Sequence, residues 1–376
     1  MTQHKRPNYF LAKLPLRTLT QGLFLFFCLF FVILKSFAQP TGAEQDMFTY
    51  RVQANDTLID LAERYTLNKD NWKILESLND VDDPKRLPIG KTLVIPFDLI
   101  PVQPTTAELI HTQGEVLLNQ RPAAVHSTIH PGDRLKTGPN SFATVGLQDQ
   151  STLSLPENAQ ILFQQINEFQ GVPISDVIFV LEEGSLETHA DPEQQGVGRY
   201  EIHTPISVTG VRGTKMRVGA DQQSSRTELL QGRAHIQGMQ LAPQMLQAQQ
   251  GAAMDSTGQL HVTHLLAAPS VIDSDTTKGG LQVTLEPVSQ ADYYVAIIAT
   301  DPNGKHIIGQ QQSNEPYFDL PVFRSGTHYA FIRAVDEYGL MGMDTVIDYP
   351  GRRVVLDRSG QPVRTHYGQA VFSGML

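Results

Sequence analysis

The sequence predicts a multidomain, mainly β chain. Its 376 residues exceed one ordinary hydrophobic core, so two or three domains are expected. The segment from Ile202 to Gly238 alternates apolar and polar residues as half-buried strands require, with Gly210, Gly213, Gly219 and Gly232 where turns or bends need a missing Cβ. Short segments of the same kind, separated by Gly, Pro and Asn turns, fill residues 107–258 and return over 265–350. An apolar fraction of 40% is that of a folded protein, which argues against general disorder.

The first 38 residues read as an export signal. Basic residues precede an apolar run from Leu23 to Leu34, and Ser36-Phe37-Ala38 places small residues at −3 and −1 of a cleavage site near Ala38-Gln39. The run is shorter than the ~20 residues that span a bilayer; an uncleaved anchor is the alternative reading. Cys28 lies inside the run and is the only cysteine, so the mature chain is expected to hold no disulfide and no thiolate metal site. The leader carries five basic residues and no acid, so without it the formal charge falls from −10 to −15. So acidic a body is a poor ligand for nucleic acid or anionic lipid.

Residues 39–47 read as a short polar linker. In residues 48–98, Phe48 to Val52 alternates as a strand. Asp56 or Thr57 then offers an N-cap before Leu58, Leu61, Ala62 and Tyr65 on one helical face. Asp70 or Asn71 offers a second cap, before Trp72, Ile74, Leu75 and Leu78. Helical spacing with Leu75 reads Trp72 as a core residue. Thr92 to Ile95 is a closing strand stopped by Pro96. The order is β-α-α-β. The stretches YRVQANDTLIDLAERYTL and NWKILESLNDVDDPKRLPIGKTLVIP resemble a lysin motif (LysM), the module that binds N-acetylglucosamine-containing glycans. The one departure is Asn55 where the family has Gly, a substitution the left-handed region tolerates. The resemblance implies a groove with Asn55, Asp56, Thr57 and Leu58 on one side and Asn79, Val81, Pro88 and Ile89 on the other. Peptidoglycan or a chitin-like glycan would be the ligand.

In residues 107–258, strands are expected at Glu108–Ile110, Glu115–Leu118, Arg134–Thr137, Ala143–Leu147, Thr152–Leu155, Gln160–Phe163, Val177–Leu181 and Glu187–His189, with a turn at Glu183-Gly184. Such spacing predicts an all-β roll or sandwich. The stretches GDRLKTGPNSFATVGLQDQSTLSLPENAQILF, LEEGSLETH, TPISVTGVRGTKMRV and ELLQGRAHIQG resemble, in order, a FecR-type periplasmic domain. In iron-uptake regulators that domain signals across the membrane to a cytoplasmic anti-sigma region. The twenty or so residues before the apolar run leave no room for such a region, so the resemblance implies an exported β module that engages envelope proteins.

Residues 265–350 alternate or run apolar, with more aromatic residues, and GTHYAFIRAVDEYGLMG resembles the last strands of a fibronectin type III-like sandwich. Tyr293, Tyr294 and Tyr329 read as half core or as an interaction face. Residues 351–376 read as a basic tail.

Catalysis is not expected. The chain has no G-x-S-x-G elbow, no H-E-x-x-H and no Walker loop, and Gly210 to Lys215 lacks phosphate-loop spacing. Arg212 reads as a structural arginine or as a partner contact. His261-x-x-His264 has no carboxylate support for a metal. No catalytic residue, metal or cofactor is assigned. The expectation is an exported, periplasmic or secreted peptidoglycan-binding protein with an envelope protein partner and no membrane contact after cleavage. Its alternative is an envelope sensing component acting through a separate membrane protein.

Overall fold

The computed structural model describes residues 40–44, 47–172, 174–190, 199–238, 242–276, 280–324 and 326–351, with isolated positions beyond. The expected leader, its cleavage site, most of the tail and the side chain of Arg212 lie outside the described residues.

The N-terminal module begins earlier than its sequence pattern. β1 (Pro40–Glu44) pairs antiparallel with β2 (Met47–Arg51), which pairs with β3 (Thr92–Pro96). Part of the stretch read as a linker is thus a strand. A strand at a sheet edge is held by backbone bonds and needs no alternation to form. Between β2 and β3 stand α1 (Leu58–Thr66) and α2 (Trp72–Leu78). α1 starts at Thr57, whose Oγ1 accepts the Asp60 N–H at 3.2 Å, and stops at Leu67 in the left-handed region (φ 52°). Its Leu58, Leu61, Ala62 and Tyr65 are buried at i, i+3, i+4 and i+7, and Tyr65 packs on Phe48 and Tyr50 of β2. α2 departs from expectation. A 3-10 turn at Lys69–Asn71 precedes it, capped by Asn68, and Asn71 makes no side-chain cap. Of its apolar residues only Leu75 is buried; Trp72 is half-buried, and Ile74 and Leu78 are exposed. Seven residues give too short a stripe to bury four side chains.

The next stretch is pinned. A 3-10 turn at Phe97–Leu99 sets Phe97 against Phe169, with ring centroids 4.5 Å apart, and the Gln170 N–H donates to Pro101 O at 2.9 Å.

The body runs from β4 (Val102–Pro104) through β5 (Ala107–Gln113), β6 (Val116–Leu118), β7 (Arg121–Pro122), β8 (Thr128–Ile129), β9 (Arg134–Thr137), β10 (Phe142–Gly146) and β11 (Thr152–Leu155). It continues with β12 (Gln160–Phe169), β13 (Ser175–His189), β14 (Tyr200–His203), β15 (Ser207–Ala220), β16 (Ser224–Gly238), β17 (Gln244–Gln247), β18 (Gln250–Asp255) and β19 (Leu260–His264). One continuous set of pairings joins them. The expected break at Glu183-Gly184 is a bend inside β13. Up to Glu183 the strand pairs with β12, and from Gly184 it pairs with β15, and then also with β11. Gly184 has φ +90°, and a Cβ there would meet Asn158 O and Ala159 Cα at 2.6 Å. Glycine therefore lets one strand turn from one set of partners to another. The core is lined by alternate residues of these strands; Phe163, Phe179 and Tyr200 meet edge-on, at 5.4 and 5.5 Å.

The C-terminal strands form two facing sheets. β20 (Val271–Asp275), β21 (Gly280–Leu285) and β24 (Tyr317–Pro321) make one, in that order. β23 (Ile307–Ser313), β22 (Tyr293–Ala299), β25 (Thr327–Val335) and β26 (Thr345–Pro350) make the other. β22 reads YYVAIIA because both its faces are covered. Tyr294, Ala296 and Ile298 enter the core between the two sheets, whereas Val295, Ile297 and Ala299 pack outward in a second cluster with Phe331, Val335 and Phe142 of β10. A strand buried on both sides loses its polar alternation. The sandwich is therefore fastened to the body along a seam with apolar packing. His111 Nε2 also lies 2.7 Å from Ile307 O across it, and Thr144 Oγ1 donates to Lys305 O.

Candidate functional site

The residues expected to bind glycan come together in the N-terminal module, at the turn before α1 and the loop between α2 and β3. Backbone bonds knit the two. The Leu58 N–H donates to Pro84 O, the Gly90 N–H to Val52 O and the Val52 N–H to Lys91 O, all at 2.8–2.9 Å. Asn55 takes the left-handed conformation (φ 72°) that its glycine-replacing position requires.

The eight residues differ in what their side chains leave free. Asp56 Oδ2 accepts from Tyr50 Oη and from the Gln53 N–H, both at 2.7 Å. Burial and this carboxylate push the Tyr50 hydroxyl up, so it stays a donor. Thr57 caps α1 and donates to Asp60 Oδ2 at 2.7 Å. Leu58 is fully buried and Val81 nearly so. Asn79 uses both amide hydrogens, on Leu75 O and Val94 O, and its Oδ1 accepts the Val94 N–H at 2.6 Å. Val94 faces Thr49 of β2, and its free backbone edge is capped by this one amide. Asn55, Pro88 and Ile89 remain exposed, Ile89 at 73%. Of the eight, then, Asp56, Thr57, Leu58, Asn79 and Val81 shape the two loops, and Asn55, Pro88 and Ile89 present open side chains.

A second polar constellation escaped sequence reasoning. Where the body meets the sandwich, Arg217 of β15 donates to Gly342 O at 2.8 Å and to Asp344 Oδ2 at 2.6 Å, and its Nε lies 3.3 Å from Glu187 Oε2. Arg333 of β25 sets Nε 2.7 Å from Asp344 Oδ1, close enough for an ion pair though off the hydrogen-bond line. Lys215 lies 3.0 Å from Glu187. Both arginines are buried. Burial alone would raise Glu187, but Lys215, Arg217 and Arg333 hold it well below the usual carboxylate range. Burial and the nearby Arg217 lower Arg333. Glu228 of β16, 2% exposed, accepts the Met341 N–H at 3.2 Å and is pushed up to about 7 by burial. A cavity of about 60 Å³ opens beside these groups. The bonds that join the two bodies, Arg217 to Gly342 and Asp344 and Glu228 to Met341, link residues over a hundred apart in sequence, and no local spacing announces such a cluster. His261 and His264 lie on strand β19, three apart and so on opposite faces, and His261 stacks on Tyr338 at 4.1 Å. Among the described residues no group of three or more His, Cys, Asp and Glu is placed to hold a metal.

The LysM domain family model matches residues 50–96, and the FecR protein family model matches residues 133–235. The chain carries both domains, which are binding or signalling domains typical of envelope proteins. No curated protein matches it. Sixteen chains of solved structures do. Two are crystal structures of a Parabacteroides distasonis protein described as an anti-sigma factor, at 15% and 12% identity and TM-score 0.29; each alignment covers 35% of this chain and 59% of that one. This chain thus spans about three-fifths of their length. Among the described residues no helix is long and apolar enough to cross a membrane.

Proposed function

We propose that this is an exported, non-catalytic envelope protein that grips N-acetylglucosamine-containing glycan, peptidoglycan in the first instance, and holds a FecR-type body at the wall for a protein partner. The observation that carries the reading is the LysM groove. The Asp56, Thr57 and Asn79 side chains are spent on internal bonds, so a sugar meets a preformed surface of backbone groups, Asn55, Pro88 and the open Ile89 side chain. Such a surface suits an acetamido sugar, whose amide pairs with polar groups while its methyl packs on apolar ones. The strand order β20-β21-β24 facing β23-β22-β25-β26 supports a fibronectin type III-like module at 265–350. That module acts with the body as one platform.

Sedimentation with insoluble peptidoglycan and with chitin tests the reading. The mature chain is expected in the pellet; its presence in the supernatant with both would sink the glycan assignment. Unchanged muropeptide masses after long incubation are the expected sign of no hydrolysis. N-terminal sequencing of the envelope-extracted protein is expected to begin at Gln39.

The FecR match favours a second reading, in which the body reports an envelope state to a separate membrane protein. Pull-downs from envelope extracts with and without soluble glycan separate the two. A scaffold keeps its partner in both conditions; a sensor gains or loses it.

A further inference from the structure

We propose that the seam between the FecR-type body and the C-terminal sandwich is a proton-gated latch, tight while Glu228 holds a proton and looser once Glu228 is ionised. Glu228 projects from the body, is 2% exposed, and takes the N–H of Met341 from the sandwich. Opening the seam is what would hydrate its carboxylate. No ion pair joins it to a cationic side chain among the described residues, although the same seam holds a network of such pairs for Glu187 and Asp344. A buried carboxylate without a paired cation is costly when charged and cheap when neutral.

The groups around it come from every element at the seam. Arg217 of β15 and Arg333 of β25 face it, but both are already engaged by Glu187 of β13 and by Asp344. Lys215 is held by Glu187. Arg226 on the same strand is half-exposed, and Tyr293 of β22 stays an un-ionised hydroxyl because burial raises it. The adjoining cavity, about 60 Å³, has room for water that could carry the proton away.

The sign follows from linkage. Glu228 sits at about 7 in the closed seam against an ordinary 4.5 once hydrated. The closed state therefore binds the extra proton between those values. The contribution of Glu228 to closure is largest at and below the ordinary value, is lost as pH rises towards and through about 7, and is flat above it. His111, also at the seam, is lowered by burial, so its charging loosens the contact at the acid end and cannot produce a loss on the alkaline side.

Hydrogen exchange of the intact mature chain reads the latch. After correction for intrinsic exchange, protection of the Met341 amide and of peptides over 336–344 is expected to fall roughly 20-fold between about pH 5.5 and about pH 7.5. The fall is expected to vanish in Glu228→Gln. Glu228→Met, apolar and of similar length, provides a second flat profile if the amide variant folds poorly. Constant protection in the wild type overturns the proposal. So does a wild-type-like fall in either variant, or an equal fall at β12–β13 amides away from the seam.

Discussion

In the N-terminal module, Asp56 and Asn79 spend their polar atoms on groups within the same fifty residues. At the body–sandwich seam, Arg217 and Arg333 bridge elements over a hundred residues apart. The first region satisfies its polar groups locally and leaves an apolar residue, Ile89, in the open. The second buries charge and seals it with Phe142, Phe331 and Val295. An exposed apolar side chain over a satisfied polar frame is ready for a ligand. A buried ion network is weak evidence for stability, yet it fixes one geometry between two bodies, because every misdocked arrangement strands a charge.

Removing one member of the network should have the largest effect. Arg217→Ala leaves Glu187 and Asp344 short of a partner and is expected to cost about 3–5 kcal/mol in chemical denaturation. Arg217→Met together with Glu187→Leu should cost less, because it removes charge from both sides. If the single variant loses no more than a surface substitution, the seam does not hold the two bodies together.

Gly184→Ala should come next, at about 1–3 kcal/mol, since it adds a Cβ at φ +90° within 2.6 Å of backbone atoms. The loss should appear as lower thermal stability of the body, with glycan binding kept. Asn79→Ala should cost a similar or smaller amount, about 1–3 kcal/mol, by leaving the Val94 N–H and C=O without their side-chain partner, while Leu75 O keeps the backbone N–H of residue 79. Here the damage should stay in the N-terminal module, with hydrogen exchange rising in β3 and not in β22 or β25. Rising exchange in all three strands would mean that the module and the seam are one cooperative unit.

These variants also mark what the sequence reveals. The first helix and the closing strand of the N-terminal module were legible because caps, periodicity and turns are local signals, the Thr57 cap being an example, whereas the cap and buried face of the second helix were not. β1 was not legible: five residues held by backbone pairing carry no side-chain period. The bend at Gly184 looked like a turn, since a glycine signals positive φ without saying whether the chain reverses or only changes partners. The continuous apolar run of β22 was visible as a run, but the body on its second face was not. For the groove, the eight positions could be named from the motif. Which of them point outward could not, because that depends on bonds such as Asn79 to Val94 across fifteen residues. Arg217 and Glu228 were invisible as a pair of functional interest, being ordinary members of alternating strands whose partners arrive from another domain.

The smallest stability effect belongs to the most informative variant. Ile89 is 73% exposed and beyond the packed core, so Ile89→Asp should shift unfolding by no more than about 0.5 kcal/mol. Its effect on glycan should be large by contrast, because a charge placed where an acetamido methyl would pack must be desolvated for no return. Sedimentation with peptidoglycan is expected to drop at least tenfold, while the melting curve overlays that of the wild type. A normal pellet would move the sugar away from the Ile89 loop and towards Asn55. An early melt would mean that Ile89 supports the fold and that the division between frame and contact residues in the groove is drawn in the wrong place.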